Sequence, residues 1–281
     1  MRKTTAVFGS GFLHISLTKQ VFYCIMYIKE EKLRKLLTYI TMKSICFTIK
    51  PLHLLHIPFA HFKMLQGLAY SLMSSDKALA AEVHDRIFPD KKAFKFFCFS
   101  DFIGRYTVRN GGLVYRDSFQ WVLRSADDEI IDAAEQAVRK SPMVTINRHP
   151  CEVLSCEIRE KHFCADAVNF QMNTPIVVYH TERSGFRHYY NPFEQEFFER
   201  VAKNIQNKFE MFCDKPLPGS VMIECNAPLD RDKCVTRYEK SIITAWYGNY
   251  RVTALPEVLD FIWHTGLGSK NSMGFGTVSE P

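Results

Sequence analysis

Ser44-Ile45-Cys46-Phe47-Thr48-Ile49-Lys50-Pro51 is the stretch from which the fold can be read outward. Its apolar and β-branched residues predict a strand, and Pro51, which has no N–H to give a ladder, ends it. Downstream, Phe62, Leu65, Leu68, Ala69 and Leu72 recur at helical spacing within residues 59–75, with a second short amphipathic piece at 77–83. Residues 94–103 are strand-like again. Tyr106-Thr107-Val108 and Leu113-Val114-Tyr115 flank Asn110-Gly111-Gly112, a hairpin signal, and a further strand is expected over 119–124. Residues 127–139 read as a helix, with acids in the first turn and Arg139 and Lys140 at its end, and 144–158 returns to strand. The order is β-α-β-β-α-β, the split β-α-β or ferredoxin-like pattern.

The pattern recurs. Residues 176–179 and 187–190 are extended. Pro192 opens a helix through Phe193, Phe197, Phe198, Val201, Ile205 and Phe209. Strands are expected at 221–225 and 237–250, a short helix at 255–264 opened by Pro256, and a last strand at 274–278 after a glycine-rich loop. The expected fold is therefore α+β, with two tandem ferredoxin-like domains at 42–141 and 142–281 and a boundary near Ser141-Pro142. Residues 1–41 read differently, with a Gly9-Ser10-Gly11 loop and a charged run from Lys29 to Lys35. Met42 stands immediately before the first strand, so the expectation is a start at Met42, with 1–41 coming from upstream reading frame. The other reading is a genuine extension, helical at 21–40.

Composition narrows the class. Of 281 residues 47% are hydrophobic, which argues for a packed core, and the net charge of +6 suits an anionic partner without requiring one. The nine cysteines are odd in number and contain no CxxC, which suggests free thiols in a reducing, cytoplasmic compartment. The longest apolar run near the N-terminus, Val21 to Ile28, is far short of a membrane span. His149, Cys151, Cys156, His162 and Cys164 lack paired ligand spacing and read as alternating strand residues. His53, His56 and His61, with Pro58 between them, do not share a helical face. No metal site and no cofactor are expected.

The tail Gly266-Leu267-Gly268-Ser269-Lys270-Asn271-Ser272-Met273-Gly274-Phe275-Gly276 places four of the chain's 13 glycines in one short loop. Such a loop can take positive φ and turn N–H groups toward phosphate oxygens. Lys270 adds charge, and Asn271 and Ser272 add donors. The spacing matches neither dinucleotide nor nucleoside-triphosphate signatures. It reads as a clamp on a nucleic-acid backbone, or as a tight turn packed between the two halves.

This tail resembles the glycine-rich signature of the CRISPR-associated repeat-RNA endoribonucleases, the sixth-numbered CRISPR-associated family. Leu65-Gln66-Gly67-Leu68-Ala69-Tyr70, followed by Leu79 to His84, is similar to that family's first helix and catalytic histidine segment. Pro175-Ile176-Val177 through Asn191-Pro192-Phe193 resembles the start of its second half. The resemblance covers roughly Met42 to Val278, and residues 1–41 find no counterpart. It implies metal-independent cleavage within the repeat of a CRISPR precursor RNA. A 2′-hydroxyl attacks the adjacent phosphate, leaving a 2′,3′-cyclic phosphate and a 5′-hydroxyl.

Such chemistry needs a base, an acid and stabilisation of phosphorane charge. The resemblance assigns proton transfer to His84 and Tyr70 and charge stabilisation to Lys92, with Lys91 as the fallback and Lys95 lining the same face. It implies RNA contacts at Gly266, Gly268, Lys270, Asn271, Gly274 and Gly276. The partners implied are CRISPR repeat RNA, with CRISPR effector-complex proteins and a second copy of the chain as further candidates. A second reading is a non-catalytic RNA-binding subunit of such a complex on the same fold, which need not keep His84 or the lysines. An unrelated RNA-binding module fares worst, because its aromatic-rich strand motif is not evident.

Overall fold

Nine residues, Lys43–Pro51, form β1. Six of its nine residues are buried, and the strand is paired on both sides. One neighbour is β6 (Phe119–Ser125) and the other is β8 (His149–Glu160), both antiparallel. With β3 (Phe97–Phe99) and β7 (Met143–Ile146) they make a five-stranded sheet in the order β3-β6-β1-β8-β7. The computed structural model describes residues 42–74, 94–225 and 228–280, and every statement here concerns those.

Among the described residues, two helices accompany this sheet. The first, α1 (Phe62–Met73), buries Phe62, Leu65, Leu68, Ala69 and Leu72, the stripe expected from their spacing. The second, α2 (Asp128–Lys140), is capped by Asp127, whose carboxylate accepts from the Glu129 N–H, and Arg139 pairs with Glu135 one turn back. A small satellite sheet joins β2 (Leu55–Pro58), β4 (Tyr106–Arg109) and β5 (Gly112–Tyr115). Its hairpin turns at Asn110 and Gly111, with φ of 48° and 73°, the double left-handed geometry that the Asn-Gly pair favours.

The second sheet contains β9 (Ala167–Met172), β12 (Met222–Cys225), β15 (Asn249–Thr253) and β16 (Val278–Ser279), in the order β12-β15-β9-β16. Helix α3 (Gln195–Cys213) follows β9 in the chain and α4 (Pro256–Thr265) follows β15. Two-stranded ribbons, β10 (Tyr179–Thr181) with β11 (Arg187–Tyr189) and β13 (Lys233–Tyr238) with β14 (Ser241–Trp246), complete this part. Among the described residues no helix is long and apolar enough to cross a membrane.

The sequence expectations differ in several places. Residues 143–160 lie in the first sheet, so the change of sheet comes after Glu160 and not at Ser141-Pro142. One of the two inner strands of the second sheet is β9, which was not anticipated. The apolar run at 176–178 instead makes isolated bridges, Ile176 to Trp246 and Val177 to Ser269. Helix α3 begins at Gln195 and not at Pro192, because Asn191 first closes a turn by accepting the Phe193 N–H. The single strand expected over 237–250 is broken by two turns into parts of β13, β14 and β15. Residues 1–41 and the amphipathic piece at 77–83 lie outside the described residues.

Each sheet has its own core, and the two interlock. Phe275, from the glycine-rich loop, is buried in the first core against Phe62, with ring centroids 4.7 Å apart. Phe96 is buried in the second core against Phe212 at 5.0 Å. Arg124 of β6 crosses the join. Its guanidinium lies 3.7 Å from the Trp263 ring centroid and donates to the Val278 carbonyl at 2.7 Å.

Candidate functional site

Helix α1 is fixed at its start by His61, which is buried. Its Nε2 meets the Asp101 carboxylate at 2.7 Å and its Nδ1 faces the Pro58 and Phe59 carbonyls at 3.0 Å. Two turns on, Tyr70 is half-buried and packs edge-on against Phe97. Burial pushes its phenol up to about 12, against the lowering charge of Lys63, so it is protonated at neutral pH.

Lys95 reaches this phenol, its Nζ donating to the Tyr70 oxygen at 2.8 Å. The backbone explains why. Phe96 takes a left-handed φ of 46°, uncommon for an aromatic residue. Its carbonyl accepts from the Ala126 N–H and the Ser125 hydroxyl, both at 3.0 Å. This kink sends the Phe96 ring into the second core and leaves Lys95 beside α1.

The glycine-rich loop meets the same helix. Gln66, one turn before Tyr70, donates to the Ser272 carbonyl at 2.9 Å and accepts from the Tyr238 hydroxyl. The four glycines themselves are buried. A Cβ on Gly276 would stand 1.9 Å from the Leu267 carbonyl oxygen, and one on Gly274 would stand 2.9 Å from the Phe99 ring. The N–H groups of Gly266, Gly274 and Gly276 are donated to Ile262, Asn271 and Pro175. The glycines therefore shape the loop through close internal approach, and residues 269–273 form its partly exposed edge.

Asn271 ties the two limbs together, its Nδ2 donating to the carbonyls of Leu267 and Phe275 at 2.9 and 3.0 Å. Its Oδ1 accepts from Lys208 at 3.1 Å, and the same Lys208 Nζ donates to the Gly266 carbonyl at 2.6 Å. Lys208 is 2% exposed, and burial pushes its ammonium down to about 7. Lys270, at a left-handed φ of 65°, lies over the Tyr179 ring at 4.8 Å. Lys95, Lys208, Lys270, Asn204 and Tyr179 line one cleft of about 160 Å³ with residues 268–272.

Thus the structure brings Tyr70, Lys270, Asn271 and the four glycines to one neighbourhood, although the sequence separates Tyr70 from the loop by nearly the whole described chain. His84, Lys91 and Lys92 lie outside the described residues.

The family model for "CRISPR associated protein Cas6, C-terminal" matches residues 158–280, the segment that holds the loop and α3. Over 227 residues the chain is 26% identical to the CRISPR-associated endoribonuclease Cas6 of Pyrococcus furiosus, covering 79% of this chain and 83% of that protein. It is 25% identical over 232 residues to the CRISPR-associated endoribonuclease Cas6 2 of Methanocaldococcus jannaschii, covering 76% and 90%. The chain is similar to Cas6 proteins over most of its length.

A solved structure described as an RAMP protein binding different RNA substrates shares the fold, with a TM-score of 0.72 at 20% identity, covering 84% of this chain and 98% of that one. Two residues that the structure brings to this neighbourhood, Lys95 and Lys208, were given little weight in the sequence. Lys95 carried a signal, since strand alternation set it on the same face as the favoured Lys92, which lies outside the described residues. Lys208 also carried one. It falls three residues after Ile205 and seven after Val201, an inward-facing position on an amphipathic helix.

Proposed function

We propose that this chain cuts CRISPR precursor RNA within the repeat by attack of a 2′-hydroxyl on the neighbouring phosphate. The O2′–P bond forms and the P–O5′ bond breaks. The O2′ proton goes to a base and the departing O5′ receives one from an acid, leaving a 2′,3′-cyclic phosphate and a 5′-hydroxyl. The observation that carries this reading is the Lys95–Tyr70 contact at 2.8 Å, beside a cleft edged by the glycine-rich loop.

Lys95 is the cation for phosphorane charge in this reading, with Lys92 the alternative implied by resemblance alone. Tyr70 accepts from Lys95 and, being protonated, acts as a hydrogen-bond donor to an RNA oxygen and not as a phenolate base. His84 takes part in proton transfer, since histidine is the side chain whose unperturbed pKa suits that task near neutrality. The glycine-rich loop holds the RNA backbone through its 269–273 edge and Lys270. Gly266, Gly268, Gly274 and Gly276 set the shape of that edge, and Asn271 fixes it. The names of the two curated relatives, both endoribonucleases, support the activity.

We also read the two sheets as tandem ferredoxin-like units. In each, four strands lie in the chain order second, third, first, fourth, with a helix after the first and the third.

Incubation with the cognate repeat RNA in EDTA tests the proposal. A single cut ending in a cyclic phosphate is expected, reduced in Tyr70→Phe and Lys95→Ala. RNA that is bound tightly but left whole by the wild-type protein would favour the non-catalytic subunit.

A further inference from the structure

Lys208 is a buried ammonium whose hydrogen-bond partners in the structure are both neutral, a backbone carbonyl and an amide oxygen. Taking a charge out of water without an opposite charge is unfavourable by several kcal/mol. The described lining of the adjacent cleft contains three lysines and no carboxylate. Lys270, on its rim, is held below the usual lysine range by burial and by the like charge of Arg187. On the same helix, one turn before Lys208, Asn204 also lines the cleft, and its Oδ1 is buried without a hydrogen-bond partner. Two cations without a carboxylate partner among the described residues, Lys208 and Lys270, and an unmet acceptor thus face one space.

We propose that this cleft is a subsite for a phosphate of the RNA backbone next to the reacting one, with Lys208 and Lys270 meeting the oxyanion and Asn204 accepting from the adjoining 2′-hydroxyl. Lys208 then has two linked tasks. It anchors the loop through Gly266 and Asn271, and it presents charge to the anion that the loop embraces. A ribose hydroxyl beside a phosphate is the pairing that a cationic cleft with one orphan acceptor fits, and it separates RNA from DNA. The existence of an anion site does not depend on the endoribonuclease reading, whereas the assignment of its anion to RNA does.

Inorganic phosphate is the first probe, titrated at constant ionic strength against chloride and followed by thermal unfolding. A saturable rise in midpoint is expected in the wild type, absent in Lys208→Met and weakened in Lys270→Ala. Lys270→Ala carries the test if Lys208→Met fails to fold. A rise that chloride reproduces, or that survives Lys270→Ala undiminished, overturns the site. In the second arm, phosphate should displace a short RNA, and preference for RNA over DNA of the same sequence should fall about tenfold in Asn204→Ala. Phosphate that binds without displacing RNA overturns the assignment to the RNA backbone. A wild-type chain that binds RNA competitively with phosphate but never cuts it would defeat the proposed activity and leave this subsite standing.

Discussion

The Nζ of Lys95 donates to the hydroxyl oxygen of Tyr70 across 2.8 Å, joining a residue just before β3 to the last turn of α1. In the account above this pair meets the RNA together. Lys95→Ala and Tyr70→Phe should each lower single-turnover cleavage by roughly 10²-fold or more. The double variant should lose much less than the product of the two, because the groups act as a unit. Lys92→Ala, compared in the same assay, decides which lysine serves. A full loss in Lys92→Ala with Lys95→Ala active would transfer the role.

The loop makes a stability prediction independent of RNA. Gly276 sits at a φ of 76° with no space for a Cβ, so Gly276→Ala should destabilise by more than about 3 kcal/mol in urea unfolding. Gly67, exposed on α1, has no atom of the described residues within 4 Å of its Cβ position. Gly67→Ala should therefore be stabilising, by up to about 1 kcal/mol from helix propensity. Equal effects at the two glycines would contradict the packing described.

Asn271→Ala should leave the Leu267 and Phe275 carbonyls and one Lys208 proton unmet, with a loss of about 2–4 kcal/mol. Hydrogen exchange would show where the loss falls. Faster exchange at Leu267 and Gly276, with β1 unchanged, is the expected pattern.

His61 sets a pH dependence. Burial alone lowers its pKa, but the hydrogen bond and charge of Asp101, with the Pro58 and Phe59 carbonyls, outweigh it, and the folded value is raised. The folded state therefore holds this proton more tightly than the unfolded chain does. The stabilisation is fully present below the unfolded value of about 6.5 and is lost as pH rises through the higher folded one. The unfolding midpoint should fall across that window, and the fall should flatten in Asp101→Asn.

Much of this architecture was legible where local chemistry and burial agree. Ser44 to Pro51 announced a buried strand, and α2 carried its Asp127 cap and charged ends openly. β9 was missed although Phe170 and Met172 alternate with Asn169 and Gln171, because the louder apolar run at Ile176-Val177-Val178 drew the strand assignment. That run is apolar because it is buried between the two cores, not because it extends a sheet. The contact between Gln66 and Ser272, which sets the loop on the Tyr70 helix, spans most of the chain and has no local signature. Lys208 was overlooked because a lysine on a helix is ordinarily solvated, and only the tertiary arrangement turns it inward.

The central claim is that the RNA supplies its own nucleophile beside Tyr70 and Lys95. It is tested most directly by a repeat RNA carrying a single 2′-deoxy substitution on the 5′ side of the cut. Binding within about twofold of the unmodified RNA and no cleavage at that position are expected. Cleavage of the deoxy substrate at the same bond would contradict it.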